Sequence, residues 1–152
     1  MSLAGHFLSV KNINVNNLNL VTKSIDRVNK SLNLKKNHLN KIFVQEYVSN
    51  ILLSGVVFTR GIRNNSNYYY LNFDDNDLST DRVTSGKING KTIIINRISK
   101  INFDNKLLSD LLISIKEIEN VLKNENLDIE FAIDKEKKIH IFQYRKLFFE
   151  NK

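Results

Sequence analysis

Cysteine, proline and tryptophan are missing from these 152 residues, and methionine occurs once. Without cysteine there is neither a disulfide framework nor a thiolate metal site. No apolar run approaches the length of a transmembrane helix. The opening residues, MSLAGHF, lack the apolar core of a signal peptide. A cytoplasmic setting with no membrane partner is therefore expected. The basic residues are scattered, with no arginine cluster and no RNP-type aromatic motif. The lack of proline goes with heavy use of asparagine, isoleucine and lysine, as in AT-rich coding sequence. Much of the net charge of +7 then reads as compositional drift, and a nucleic-acid partner would rest on that charge alone. What is present is ordinary for a globular domain: 41% hydrophobic and 26% charged residues, enough chain to bury a core as one domain or part of one.

The most informative stretch is Leu127 to Leu147, LDIEFAIDKEKKIHIFQYRKL. Leu127, Ile129, Phe131 and Ile133 alternate with Asp128, Glu130 and Asp134, the period of a half-buried strand. Lys135 to Lys138 contain no apolar residue and read as a turn, with a second strand from Ile139 to Arg145. If the turn is those four residues, Asp134 pairs with Ile139, Glu130 with Gln143 and Asp128 with Arg145. Directly opposed residues share a face. One face would then hold Asp128, Glu130, Gln143 and Arg145. The other would hold Ile129, Phe131, Ile133, Phe142 and Tyr144, with His140 on this apolar side. The polar face suits the floor of a site for a charged ligand. The plainer reading is a surface hairpin with a cross-strand ion pair.

Elsewhere the pattern predicts a helix over Val21 to Leu32, capped from Thr22, Ser24 or Asp26. A buried strand is expected over Ile42 to Val48, a connection over Ser49 to Ser54, and a second strand over Gly55 to Thr59. Tyr68 to Phe73 reads as a strand by aromatic content. Asp74 to Gly86 reads as a polar loop with four carboxylates, Asp74, Asp75, Asp77 and Asp81, at spacings that do not fit an EF-hand. Lys91 to Arg97 reads as a buried strand. Asn105 to Lys123 is the clearest helix, with Leu107, Leu108, Leu111, Leu112, Ile115, Ile118, Val121 and Leu122 at three- and four-residue spacing. Lys116, Glu119 and Asn120 fall on its wet side. Hairpins plus helices predict an α+β fold: an antiparallel sheet with helices packed on one face. Residues 1–40 read as a loop and helix forming an incomplete flank, and 41–152 as the main lobe.

Three blocks carry a resemblance. D-I-E-F-A-I-D followed by I-F-Q-Y-R resembles the end of the nucleotide-binding domain of the phosphoenolpyruvate synthase and pyruvate phosphate dikinase family, an ATP-grasp. Val44 to Val48, followed by Ser54 to Arg60 as S-G-V-V-F-T-R, resembles an earlier part of the same domain, with Tyr47 in place of the usual Met. Y-Y-x-L-N-F-D-D followed by T-D-x-V-T-S-G resembles a branch that includes capsule-associated glutamine kinases. The resemblance implies a C-terminal ATP-grasp lobe that binds ATP and Mg²⁺. Glu130 and Gln143 would hold the metal, and Asp128 and Arg145 would shape the phosphoryl-transfer site. Gln45, Glu46, Tyr47 and Val48 would meet the base and ribose. Arg60 belongs to the same cofactor-binding set, and Thr84, Ser85 and Gly86 would reach phosphate. The elementary chemistry agrees: Mg²⁺ takes oxygen ligands, commonly one or two from protein beside phosphate and water.

Three features depart from the family. Arg60 is followed by Gly61 and Ile62 rather than Asp and Pro. No V-R-S-S-like segment, which in the family clamps the phosphates from an N-terminal lobe, is found. None of His6, His38 and His140 sits in the family's phosphohistidine motif. The resemblance thus implies a fragment of an ATP-dependent phosphotransferase that phosphorylates a histidine on another domain. Its partners would be the missing N-terminal lobe and that phosphohistidine domain. A non-catalytic nucleotide-binding module and a glutamine-kinase-type fragment are the alternatives. Phe148 and Phe149 would pack on a neighbour outside this chain.

Overall fold

A computed structural model of the chain describes residues 8–31, 41–62, 64–74, 90–98 and 105–147. Of the expected loop 74–86, only Asp74 falls within them. Thr84, Ser85, Gly86, Phe148 and Phe149 lie outside the described residues. The chain divides into two compact units, Met1–Tyr47 and Val48–Lys152.

In the first unit, helix α1 spans Leu18–Ser31, starting earlier than the apolar spacing alone predicts. Its cap is Asn17, whose side-chain oxygen accepts from the Leu20 N–H at 3.1 Å. The amide supplies a partner that the first helical turn cannot provide for itself. Thr22, Ser24 and Asp26 sit inside the helix, and Ser24 bonds back to the Leu20 carbonyl. No residue of α1 is buried. Residues 41–49 form no strand, contrary to the expectation for Ile42 to Val48, and Phe43 and Val44 are 79% and 73% exposed. Apolar content does not make a strand without a ladder partner, and no described strand pairs with this stretch.

The second unit is an α+β domain. Its elements are β1 (Ile51–Phe58), β2 (Tyr68–Asp74), β3 (Lys91–Asn96), helix α2 (Lys106–Leu122), β4 (Leu127–Asp134) and β5 (Ile139–Lys146). The five strands form one sheet in the order β3-β2-β1-β4-β5, and each neighbouring pair is antiparallel. β1 therefore begins within the expected connection and takes in Ser54. The centre of the sheet requires close approach at Gly55, where a Cβ would lie 2.3 Å from the Asn72 carbonyl oxygen.

Helix α2 closes one face. Leu108, Leu111, Leu112 and Ile115 join Leu53, Val57, Tyr69, Leu71, Leu127, Ile129, Phe131 and Ile133 in one core cluster. Asn105 caps the helix by accepting from the Leu107 N–H at 3.0 Å. Lys123 ends it in the left-handed region, its N–H returning to the last turn, a termination that satisfies otherwise orphaned carbonyls. Val121, placed by spacing in the apolar stripe, is 76% exposed because at about 100° per residue it falls on the far side of the helix from Leu108, Leu112 and Ile115. β3 is not a buried strand. It occupies a sheet edge, Ile95 alone of its residues is buried, and Ile94 is 58% exposed.

β5 contains the decisive irregularity. Asp128 pairs with Arg145 and Glu130 with Gln143, as alternation predicts, but Phe131 pairs with Ile141 and Ile133 with Ile139. Phe142 is the extra residue of a β-bulge. Asp134, the last residue of β4, consequently stands opposite Lys138, whose carbonyl accepts from its N–H at 3.1 Å, rather than opposite Ile139. Ile139 and Ile141 pack on the core in place of Phe142, and Tyr144 is 54% exposed. His140 pairs with Ala132, which puts it on the polar face rather than the apolar one. A single inserted residue accounts for the shifts from Asp134 to Phe142, whereas Tyr144 keeps its expected place opposite Ile129 and is exposed on an edge strand.

Candidate functional site

The face of the sheet opposite α2 is built in cross-strand rows. One row runs Arg145, Asp128, Phe58, Tyr70 and Ile94; the next runs Gln143, Glu130, Val56, Asn72 and Thr92. A third continues with His140, Ala132, Ser54 and Asp74. The expected polar group of Asp128, Glu130, Gln143 and Arg145 is thus brought together at one end of this face, on β4 and β5.

Its geometry is that of one cation shared by two acids. Arg145 Nη2 donates to Asp128 Oδ2 at 2.7 Å and lies 3.4 Å from Glu130 Oε1. The Asp128 and Glu130 side chains are only 12% and 18% exposed. Burial raises the Asp128 pKa, and the opposing pull of Arg145 does not cancel it. Asp128 Oδ1 and Arg145 Nε are both buried without a hydrogen-bond partner. Such orphaned atoms call for an ion, a water or a ligand. The donor set also fits a hard divalent cation: Glu130 and Gln143 offer oxygen ligands from opposed positions, beside a guanidinium able to meet phosphate. Among the described residues no three His, Cys, Asp or Glu side chains form a metal cage. Such a cation would draw its remaining ligands from phosphate and water, as Mg²⁺ commonly does.

Asp134 and His140 make a second polar pair near the hairpin tip, with Nε2 to Oδ2 at 2.8 Å. Asp134 Oδ1 accepts from the backbone N–H groups of Glu136 and Lys138, each at 2.9 Å. The His140 hydrogen bond is the largest influence holding the Asp134 pKa below the ordinary carboxylate value. Here the carboxylate organises a turn.

The other expected ligand contacts are distributed differently. Gln45, Glu46 and Tyr47 belong to the first unit and Val48 to the second. Arg60, just beyond β1, is ion-paired with Glu125, and this bond is the main cause of the lowered Glu125 pKa. Thr59, fully buried, ties the same end of β1 to β4: its hydroxyl donates to the Glu125 carbonyl at 2.5 Å and accepts from the Leu127 N–H at 2.7 Å.

A buried network on the α2 side was not visible in the expectation that Glu119 faces water. Glu119 is 5% exposed. It accepts from Tyr69 Oη at 2.7 Å and from Arg97 Nη1 at 2.6 Å. Arg97 also donates to the Thr59 carbonyl at 2.8 Å and lies 4.4 Å above the Tyr69 ring. Burial, then the Glu119 bond and charge, raise the Tyr69 pKa. Burial opposes the Arg97 charge, but Glu119 outweighs it and the guanidinium pKa rises. The available signal was helical phase: Glu119 stands four residues after Ile115 and seven after Leu112, in the core stripe itself. An open hollow of about 520 Å³ adjoins this network, lined by Arg97, Lys116, Glu119 and Lys123 among others. Its buried charges already satisfy each other, and it lies on the opposite side of the sheet from Asp128 and Glu130.

No protein-family model matches the chain, and no curated protein sequence matches it. Among the described residues no helix is long and apolar enough to cross a membrane.

Proposed function

We propose that the Asp128–Glu130–Gln143–Arg145 face is the phosphate and metal floor of an ATP-dependent phosphotransferase. The chain would be one part of a phosphoenolpyruvate synthase-like enzyme that phosphorylates a histidine carried on another domain. The observation that supports this most is the pairing of Glu130 with Gln143 beside an arginine that bridges Asp128 and Glu130. A surface hairpin needs no such concentration of half-buried charge, because an exposed cross-strand ion pair contributes little.

On this reading Glu130 and Gln143 would hold Mg²⁺, which when bound would neutralise phosphate charge and orient the polyphosphate. Arg145 would turn from the carboxylates toward the transferred phosphoryl group and stabilise the charge that develops there. Asp128 would keep Arg145 in place and, being reluctant to ionise, would add less repulsion toward an incoming anion than a fully solvated acid. A cytoplasmic setting, where ATP and magnesium are abundant, suits this chemistry. A non-catalytic nucleotide-binding module is the competing reading, favoured by Gly61 and Ile62 after Arg60 and by the lack of a phosphate-clamping V-R-S-S-like segment.

Isothermal titration of the 152-residue chain with ATP, with and without Mg²⁺, tests the proposal. Metal-dependent binding is expected in the wild type and a marked weakening in Glu130→Gln. Equal affinity in both proteins would remove the metal assignment. To separate the two readings, transfer of labelled γ-phosphate to added phosphohistidine domain is expected for the enzyme fragment supplied with its missing lobe, and not for a passive module.

A further inference from the structure

Two more buried polar atoms on the same face have no hydrogen-bond partner: Ser54 Oγ on β1 and Asn72 Oδ1 on β2. Ser54 is 2% exposed. Of the buried unpartnered side-chain atoms among the described residues, Arg60 Nε alone lies off this face. The set therefore extends inward from Asp128 and Arg145, past Glu130, to the middle of the sheet.

The register sets the spacing. Asn72 stands across Val56 from Glu130, two strand spacings or about 10 Å between backbones. Ser54 faces Ala132 and is the diagonal neighbour of Glu130, at about 7–8 Å. Ser54 Oγ and Asn72 Oδ1 each lack a partner, so neither atom bonds Glu130 directly. One hydrated cation spans such a gap. A metal–oxygen bond of about 2.1 Å on each side, followed by a water-to-acceptor hydrogen bond of about 2.8 Å, reaches roughly 7 Å. The chemistry of the atoms agrees. Asn72 Oδ1 accepts only, a serine hydroxyl can accept, and metal-bound waters are strong donors. In the neighbouring row Arg145 Nε offers a donor for anionic oxygen. A ligand that satisfies Arg145, Asn72 and Ser54 is thus anionic toward Arg145 and presents water O–H groups toward Asn72 and Ser54.

We infer that Asn72 and Ser54 are positioning residues for the cation, accepting hydrogen bonds from its bound waters while Glu130 and Gln143 hold it directly. This rests on the phosphotransferase floor proposed above and deepens it, because it assigns work to β1 and β2, which the hairpin motif leaves out. Outer partners of metal ligands commonly change metal affinity about tenfold to a hundredfold.

The test is manganese binding to the full chain in the presence of ATP, read by loss of the free Mn²⁺ electron paramagnetic resonance signal, with thermal unfolding measured on the same samples. Ser54→Ala and Asn72→Leu are expected to weaken uptake about tenfold or more. Asn72→Asp is expected to tighten it, since a carboxylate accepts from the same waters and adds charge. A purely structural role for Asn72 would lower unfolding temperature without producing the order Asp, Asn, Leu in metal affinity. If Glu130→Gln releases manganese while the Ser54 and Asn72 variants match the wild type, the two atoms hold only structural water and this inference falls alone. If the wild type takes up no manganese, or Glu130→Gln changes nothing, the proposed function falls and takes the inference with it.

Discussion

Glu119 anchors two buried partners with one carboxylate. In Glu119→Ala the Tyr69 hydroxyl would lose its acceptor, and the Arg97 guanidinium, whose side chain is 10% exposed, would lose its buried counter-charge and keep the Thr59 carbonyl and the more distant Glu125 carboxylate. Removing one partner of a buried ion pair costs about 3–5 kcal/mol, and urea unfolding should show a loss of that order. Asp128 has the opposite character. Its raised folded pKa means the native state favours the protonated form. That contribution is fully present below the unfolded pKa of about 3.9 and is lost as pH rises through the folded value. Asp128→Asn should therefore be more stable than the wild type at pH 7 and show no such advantage near pH 3, in urea unfolding compared at the two pH values. Asp134, with its lowered pKa, carries the reverse sign: its stabilisation is present above about pH 4 and fades as pH falls through its folded value. At this scale alternation in β4 was enough to foresee the Asp128–Arg145 and Glu130–Gln143 pairs. At Glu119 residue type and helical phase point in opposite directions, and phase prevails. A glutamate in the core stripe is a request for a buried cation, and Arg97 lies too far along the chain for local pattern to supply it.

Helix α2 has both of its ends fastened by side-chain or left-handed caps, and its apolar stripe covers the sheet. Asn105→Ala should cost about 1 kcal/mol, measured as a shift in urea midpoint with an unchanged slope. Its limits were legible because cap and stripe agree. The strand limits were less so. Ile42 to Val48 carries a strand's composition without a partner. Lys91 to Arg97 carries a buried strand's composition at an edge. Burial of a strand depends on who lies beside it, and neighbours are a property of topology, which no seven-residue window contains. The Phe142 bulge is similarly silent in the hydropathy pattern, since either Ile141 or Phe142 could fill the core.

For the molecule as a whole, binding to the folded state adds stability by mass action. At one hundred times the dissociation constant, ATP with Mg²⁺ should stabilise the chain by about 2.7 kcal/mol. A thermal scan should show the upward shift in melting temperature with metal and ATP together, and a much smaller one in Glu130→Gln at the same concentrations. The α+β class followed from hairpins and one strong helix, since such elements have few ways to bury their apolar faces. The chemistry of the opposite face is legible in the sequence only where two strands are joined by a short turn, as β4 and β5 are. Ser54 and Asn72 reach the same face from strands far along the chain, so their kinship with Glu130 is a fact of assembly.

Residues 139, 141, 143 and 145 form one odd-numbered series in the sequence, yet the strand reads them in two frames. Ile139 and Ile141 are set against the core, Gln143 and Arg145 against Glu130 and Asp128. Phe142 acts as a frameshift within a finished protein. Anyone grafting the four polar residues onto another hairpin would have to carry it along. Without the extra residue, a strand that buries positions 139 and 141 would bury the glutamine and the arginine too. The chemically mute phenylalanine thus decides which way the strand's two halves look: it lets a single strand turn oil to the core at one end and an amide and a guanidinium to the opposite face at the other.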